Sequence, residues 1–177
     1  MGPNQSLSKP RQAEWFKGAH VMKKEAYHYH ASIVGWLLLE VCTKGATSIS
    51  FVGKPATLER DISSHRMEKL VTEMDGYFAG KLMRFTTPVF PLGGSAFARK
   101  VWDALMLIPY GETKSYSQVA ALIGRPLAHR AVGSAVGNNE IPIIIPCHRV
   151  VRSDGTLGGY GPGIEFKKKL LQLEKAL

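Results

Sequence analysis

Ile141-Pro142-Ile143-Ile144-Ile145-Pro146-Cys147-His148-Arg149-Val150-Val151 is the stretch on which the reading of this 177-residue chain turns. An apolar run enters a Pro-Cys-His-Arg turn, and a second apolar pair leaves it. The β-branching and length of the run predict a buried strand-like segment, and Pro142 and Pro146 stop any helix. The run carries one thiol out of the core on a stiff support, and loop residues held by rigid scaffolds are where chemistry is usually placed. The thiolate is the nucleophile, whereas a free thiol of pKa ~8.5 is mostly protonated at neutral pH. His148 and Arg149 follow directly and are expected to lower that value by charge or hydrogen bonding. A lone cysteine is more often a small buried hydrophobe, but that role needs neither a preceding proline nor two following residues able to carry positive charge.

On the C-terminal side, Arg152 to Leu157 is a turn centred on Asp154-Gly155. Gly158-Gly159-Tyr160-Gly161-Pro162-Gly163 follows, a loop whose backbone can approach a ligand closely. The loop lacks the GK[ST] of a phosphate-binding loop. Ile164 to Leu177 has Phe166, Leu170, Leu173 and Leu177 on one helical face, with Lys167, Lys168 and Lys169 expected to form a solvated turn. Glu174 lies near the end of this helix, where the dipole disfavours a carboxylate, so it is expected to have a partner.

On the N-terminal side, Ser95 is the expected N-cap of a helix from Ala96 to Leu107 that buries Phe97, Val101 and Leu105. Ser115-Tyr116-Ser117-Gln118 has capping-box spacing, with Val119, Ala120, Leu122 and Ile123 as the buried face and Gly124 as the stop. Pro126 suits the first turn of the next helix, Leu127 to Val136. Two short helices joined through Gly124-Arg125-Pro126 predict a helix-turn-helix. The outer face of the second carries small residues (Ala128, Ala131, Gly133, Ser134, Ala135) around one long cation, Arg130. That face suits a helix lying in a narrow groove of a duplex while an arginine reaches inward. It equally suits a tight contact between two helices, and the pattern alone does not choose.

Phe85 to Gly94, with two prolines and two glycines, cannot be crossed by a long helix or strand and marks a linker. Before it, residues from about Tyr27 to Val52 read as an antiparallel meander broken at Gly35 and Gly45. His65 to Phe78 reads as a helix with Met67, Leu70, Val71, Met74 and Phe78 on one face. The expected fold is α+β: a small antiparallel sheet plus helix in residues 21–90, then a mostly helical, winged-helix-like unit in residues 91–177. Residues 1–20 are polar and are expected to be an unstructured leader.

The net charge of +9 favours a polyanionic partner. It is not a tail, with 12 Lys/Arg against 8 Asp/Glu in residues 1–88 and 11 against 6 in residues 89–177. No stretch approaches the ~18 apolar residues of a membrane span, and the N-terminus lacks a secretory pattern, so a cytoplasmic protein is expected. Two cysteines, Cys42 and Cys147, make no disulfide framework and fit a reducing compartment. His28 and His30 share a strand face, but without further ligands they read as a polar face and not as a metal site.

Pro146-Cys147-His148-Arg149-Val150, with Asn139 eight positions before the cysteine, resembles the O6-alkylguanine-DNA alkyltransferases. So do Ser115-Tyr116, Arg130-Ala131-Val132-Gly133, Gly159-Tyr160 and the terminal Leu170-Leu171-x-x-Glu174. The resemblance covers about Phe97 to Leu177; before Phe85 only the lay-out agrees. It implies irreversible, stoichiometric transfer of an alkyl group from O6 of guanine (in some members O4 of thymine) to the protein's own cysteine, with no cofactor; the N-terminal half lacks the Cys/His set that binds zinc in some relatives, so no metal is expected. Cys147 is then the acceptor, and His148 the base through a bridging water. Glu174 orients His148, and Asn139 braces the turn. Tyr116 gives a proton to the leaving guanine. Arg130 fills the gap in the base stack, and Ala128, Ala131, Gly133 and Ser115 lie along the DNA. Val150, Tyr160, Gly161 and Pro142 line the pocket for a base flipped through the minor groove. The implied partner is double-stranded DNA carrying O6-alkylguanine, bound by a monomer without an obligate protein partner or a membrane. Three positions depart from the family pattern: Glu140 where proline is common, His129 where a small residue is usual, and Pro162 in the pocket loop. The alternatives are a lesion-sensing alkyltransferase-like DNA-binding protein, in which the acceptor cysteine is replaced, and a thiol hydrolase, which would leave the helix-turn-helix unexplained.

Overall fold

Alternating strand residues near the start of the described chain form the expected meander in the computed structural model, which describes residues 25–57 and 64–177. The leader assigned to residues 1–20 lies outside the described residues. Strands β1 (Ala26–Ser32), β2 (Gly35–Cys42) and β3 (Gly45–Val52) pair antiparallel in the order β1-β2-β3. The register sets His28 opposite Leu39 and Leu39 opposite Ile49, with an irregularity between Glu40 and Val41. Because side chains alternate across a strand, His28, His30, Leu37, Leu39, Val41 and Ile49 share the buried face.

Helix α1 (His65–Phe78) has the bounds its periodicity predicts. Its buried stripe is Met67, Leu70, Glu73, Met74 and Tyr77. The predicted face is therefore turned: Val71 and Phe78 are only partly buried, and Tyr77 and the acidic Glu73 point inward instead. Glu73 is tolerated because its carboxylate accepts from Thr86 N (2.9 Å), Thr86 Oγ1 (2.6 Å) and Thr87 N (3.0 Å). Burial pushes its pKa up, but these hydrogen bonds outweigh burial and hold the carboxyl below its usual value.

The stretch Phe85–Gly94 is docked on the sheet. Ala46 N donates to Pro88 O at 2.8 Å, and Phe90 N donates to Ala46 O at 2.7 Å. Gly45 permits this approach: its φ is +153°, and a Cβ there would stand 2.2 Å from Pro88 O.

The C-terminal half continues with α2 (Ala96–Leu105), β4 (Lys114–Ser115), α3 (Tyr116–Leu122), α4 (His129–Gly137), β5 (Val150–Val151) and α5 (Ile164–Leu173). Ser95 caps α2 by accepting from Ala98 N, and Ser115 and Gln118 close the full capping box on α3. Helix α2 stops at Leu105, two residues earlier than expected, and Trp102, not the half-exposed Phe97, is its large core residue. Leu122 is 53% exposed and does not belong to the buried face of α3. Helix α4 starts at His129, so Pro126 lies in the connecting turn and not in its first turn. Helix α5 ends at Leu173, with Lys175 at φ 58° and bonds from Lys175 N to Gln172 O and from Ala176 N to Leu171 O. These two bonds make a Schellman motif, and it fixes Glu174 at the helix C-cap. One connected apolar core runs from the sheet and α1 through α2, α3, α4 and α5. Each fully buried Leu, Ile or Met in it contributes about 2 kcal/mol.

Candidate active site

Residues 141–145 are buried as expected, but they form a tight turn and not a strand. Pro142 bridges Ile145, Ile145 N donates to Ile141 O, and Ile143 lies at φ 77°. A β-branched residue at positive φ is strained by about 1–3 kcal/mol. Asn139 holds the turn from both ends: its Nδ2 donates to Ile145 O at 2.8 Å, and its Oδ1 accepts from Ile141 N at 3.0 Å. The turn delivers Cys147 as the first residue of a single 3-10 turn, Cys147–Arg149.

Cys147 is 5% exposed and lies on the wall of a cleft of about 540 Å³. Asn139, Pro142, Tyr116, Gly133, Tyr160 and Gly161 line the same cleft, so it collects most residues assigned to chemistry and pocket. Val150 is not among the lining residues. It is fully buried in β5, where it pairs in parallel with Lys114. The same short pairing sets Ser115 beside Val151, which docks the start of α3, and with it Tyr116, next to the Cys147 turn. The Tyr116 ring is flanked by two glycines, since a Cβ at Gly133 would meet it at 3.9 Å and one at Gly158 at 3.5 Å. Ile49, Ser50 and Phe51 of β3 also line the cleft. Sequence patterning could not have assigned them, because β3 meets the cleft only through tertiary packing.

Behind the sulfur lies a buried charge network. His148 Nε2 is 2.9 Å from Glu174 Oε1, with both side chains fully buried. Arg149 forks onto the same carboxylate, Nε to Oε2 at 2.8 Å and Nη2 to Oε1 at 2.9 Å, and its Nη1 donates to Ile108 O at 2.6 Å. The partner expected for Glu174 is thus an imidazole together with a guanidinium, and a third donor, Tyr77 of α1, adds its hydroxyl at 2.7 Å. Burial pushes the Glu174 pKa up, but the hydrogen bonds and charges of His148 and Arg149 outweigh it and hold the carboxyl at about 2. Burial lowers the His148 pKa against the pull of Glu174, so the imidazole is neutral near pH 7. Its Nδ1 has no hydrogen-bond partner among the described residues.

Burial also raises the Cys147 thiol. The groups that pull it back are Asn139, Tyr160 and Lys167, not the adjacent His148 and Arg149 expected from sequence. The side chains of His148 and Arg149 turn to Glu174 instead. Lys167 corrects a second expectation. It is fully buried and not part of a solvated turn, and its ammonium donates to Val150 O and Leu157 O. Burial brings its pKa down to about 8, with Cys147 opposing. Lys168 and Lys169 are exposed as expected.

On α4, His129, Arg130, Ala131, Ser134 and Gly137 are exposed, whereas Ala128 and Gly133 are half-buried. Ala135 is not on the outer face: it is 4% exposed, and its carbonyl accepts from Trp102 Nε1 at 2.8 Å. The helix packs on α2 and α3 with one side, as the helix-contact reading of its small residues expects, and leaves the other side bare. Among the described residues no group of three or more His, Cys, Asp or Glu could hold a metal ion. Nor is any helix among them long and apolar enough to cross a membrane.

Residues 96–176 match the family model of the 6-O-methylguanine DNA methyltransferase DNA-binding domain. A methylated-DNA–protein-cysteine methyltransferase of Methanosarcina barkeri is 41% identical over 153 residues, covering 84% of this chain and 96% of the relative. One from Mycobacterium bovis is 52% identical over 106 residues, 60% of this chain, and the match spans 64% of that relative's length. The crystal structure of Mycobacterium tuberculosis OGT in complex with DNA superposes with a TM-score of 0.76 at 40% identity, over 85% of this chain and 92% of that one.

Proposed function

From the premise that this chain belongs to the methylated-DNA–protein-cysteine methyltransferase family, we propose that it repairs DNA by direct reversal, moving the alkyl group of O6-alkylguanine onto Cys147. The observation that carries this reading is the placement of the Cys147 sulfur on the cleft wall, next in sequence to an imidazole locked at 2.9 Å onto a buried carboxylate.

The chemistry follows from the electrostatics. Burial keeps Cys147 protonated, so a base must act during the reaction. His148 is that base. Its Nε2 is held by Glu174, and its Nδ1 takes the thiol proton through a bridging water. The thiolate Sγ attacks the alkyl carbon, the C–S bond forms as the C–O6 bond breaks, and the electron pair leaves with guanine. Tyr116 supplies a proton to the departing base. Its phenol stays protonated in the resting protein, because burial and the nearby sulfur raise its pKa. The product thioether has no leaving group that water can displace, so each molecule reacts once.

A guanine inside a duplex cannot reach the sulfur of a residue that is 5% exposed, so the base is flipped out of the stack. The bare side of α4, with Arg130 among Ala131, Ser134 and Gly137, lies along the minor groove, and Arg130 takes the place of the extruded base. On this reading residues 91–177 bind DNA and carry the acceptor, while residues 21–90 brace them. The protein works as a monomer without cofactor. The two free cysteines fit the reducing cytoplasm. A lesion sensor would not need the thiol and its base.

The test is incubation with a duplex containing O6-methylguanine, followed by intact-mass measurement and peptide mapping. One methyl group on Cys147 is expected, with none on Cys42 and none in Cys147→Ala. Recovery of unmodified protein after complete binding would defeat the proposal.

A further inference from the structure

Tyr77 belongs to α1, 97 residues before the carboxylate it touches, in the half of the chain that no site motif reaches. Its hydroxyl donates to Glu174 Oε1 at 2.7 Å, and the side chain is fully buried. Oε1 is also the oxygen that holds His148 Nε2 at 2.9 Å and receives Arg149 Nη2 at 2.9 Å, whereas among the described residues Oε2 receives Arg149 Nε alone. The ring of Tyr77 is fixed among Phe78, Phe85 and Tyr110, with centroids at 5.2, 5.4 and 6.2 Å. Tyr110 in turn donates its hydroxyl to Leu173 O at 2.9 Å, one residue before Glu174. An aromatic cluster anchored on α1 therefore grips both the backbone and the carboxylate at the end of α5.

We propose that Tyr77 is a positioning residue for the alkyl-transfer reaction, holding Glu174 and drawing charge from the oxygen that orients His148. This rests on the assignment of His148 as the base for Cys147. A donor on a shared oxygen spreads the carboxylate's charge and makes that oxygen a weaker acceptor for the imidazole. The hydroxyl keeps its proton under all working conditions, because burial and the Glu174 charge push its pKa far above the usual phenol range. Removing it returns charge to Oε1, favours the protonated imidazole and raises the proton affinity of His148. The other ionisable groups facing this network are Arg149 from the 3-10 turn, Tyr110 from the loop after α2, and Lys167 of α5. All are retained in the two Tyr77 proteins, and the Tyr110 hydroxyl is absent only from the control variant.

The experiment measures single-turnover transfer from an O6-methylguanine duplex against pH in Tyr77→Phe and in protein carrying 3-fluorotyrosine at position 77. Reaction of Cys147 with iodoacetamide, mapped by mass, is followed in parallel. In Tyr77→Phe the acid limb of both profiles moves to higher pH by about half a unit, while the Kd for DNA is unchanged. The fluorinated ring preserves the packing and donates more strongly, so it moves the limb to lower pH, and this arm stands even if the phenylalanine variant folds poorly. Tyr110→Phe, which loosens the same cluster without touching the carboxylate, leaves the limb in place. Acid limbs that coincide in wild type, Tyr77→Phe and the fluorinated protein overturn the inference. A shifted iodoacetamide limb in a protein that transfers no methyl group would keep the role of Tyr77 and reject the substrate assignment instead.

Discussion

Four hydrogen bonds from the described residues converge on the Glu174 carboxylate, and the pH response of the fold is legible from them. Its folded pKa of about 2 is depressed from 4.5, so the stability it contributes is complete above about pH 4.5. That contribution is lost as the pH falls toward 2, as the carboxylate takes the proton the unfolded chain already holds. A shift of this size corresponds to about 3 kcal/mol. Denaturant titrations between pH 6 and pH 2 should show that loss, and in Glu174→Gln the dependence should flatten. The same substitution leaves the Arg149 guanidinium buried without an anion. It should destabilise the protein by about 3–5 kcal/mol at neutral pH and stop transfer. A Glu174→Gln protein as stable as wild type would contradict the network. His148 shows the complementary logic: burial keeps it neutral, the state the proposed role of base requires near pH 7.

At the scale of elements, Lys167 joins α5 to two others. Its ammonium satisfies the carbonyls of Val150 in β5 and Leu157 at the start of the glycine-rich loop. Lys167→Met keeps the stem and removes the donor, so two carbonyls lose their partner. The expected cost is about 2 kcal/mol, with faster amide exchange across residues 157–163 and slower transfer, while DNA affinity holds. Unchanged exchange in that loop would show that the clamp is idle. The bare side of α4 makes a different prediction. Arg130 is exposed and is not among the residues lining the cleft. Arg130→Ala should therefore slow transfer from a duplex at least about tenfold, the worth of one desolvated arginine contact, yet leave reaction with free O6-alkylguanine base untouched. Equal losses with duplex and free base would place Arg130 in the chemistry and not in base extrusion.

For the molecule as a whole, the net charge of +9 predicts that binding to DNA, on the proposed reading, draws on counterion release. The dissociation constant for undamaged duplex should rise steeply between about 50 and 200 mM salt, by an order of magnitude or more. A flat response would remove the electrostatic footprint from the argument. Alkylation should also weaken the fold. Cys147 is 5% exposed, and the turn before it is already strained at Ile143, so an added methyl group overpacks it by about 1–3 kcal/mol. For a chain of this size the melting temperature should fall by about 2–10 °C. A calorimetric comparison of native and fully alkylated protein checks this.

The meander, the bounds of α1, the capping box at Ser115 and the Pro-Cys-His-Arg turn were legible from the residues alone, whereas the asparagine brace was implied only by the family resemblance. Each of these is a matter of local spacing, turn chemistry or a motif whose parts lie close together. The sequence also pointed to Glu174 needing a partner, because a carboxylate at a helix end is unfavourable wherever that helix packs. Tertiary structure alone decided who the partners are. It turned Arg149 inward onto Glu174, sank Lys167 under the glycine loop, carried Ile49, Ser50 and Phe51 to the cleft, and brought Tyr77 across 97 residues to the buried Glu174 carboxylate. Periodicity shows that a side chain is buried but not against what, and the pKa of a buried group depends on which charges meet it there.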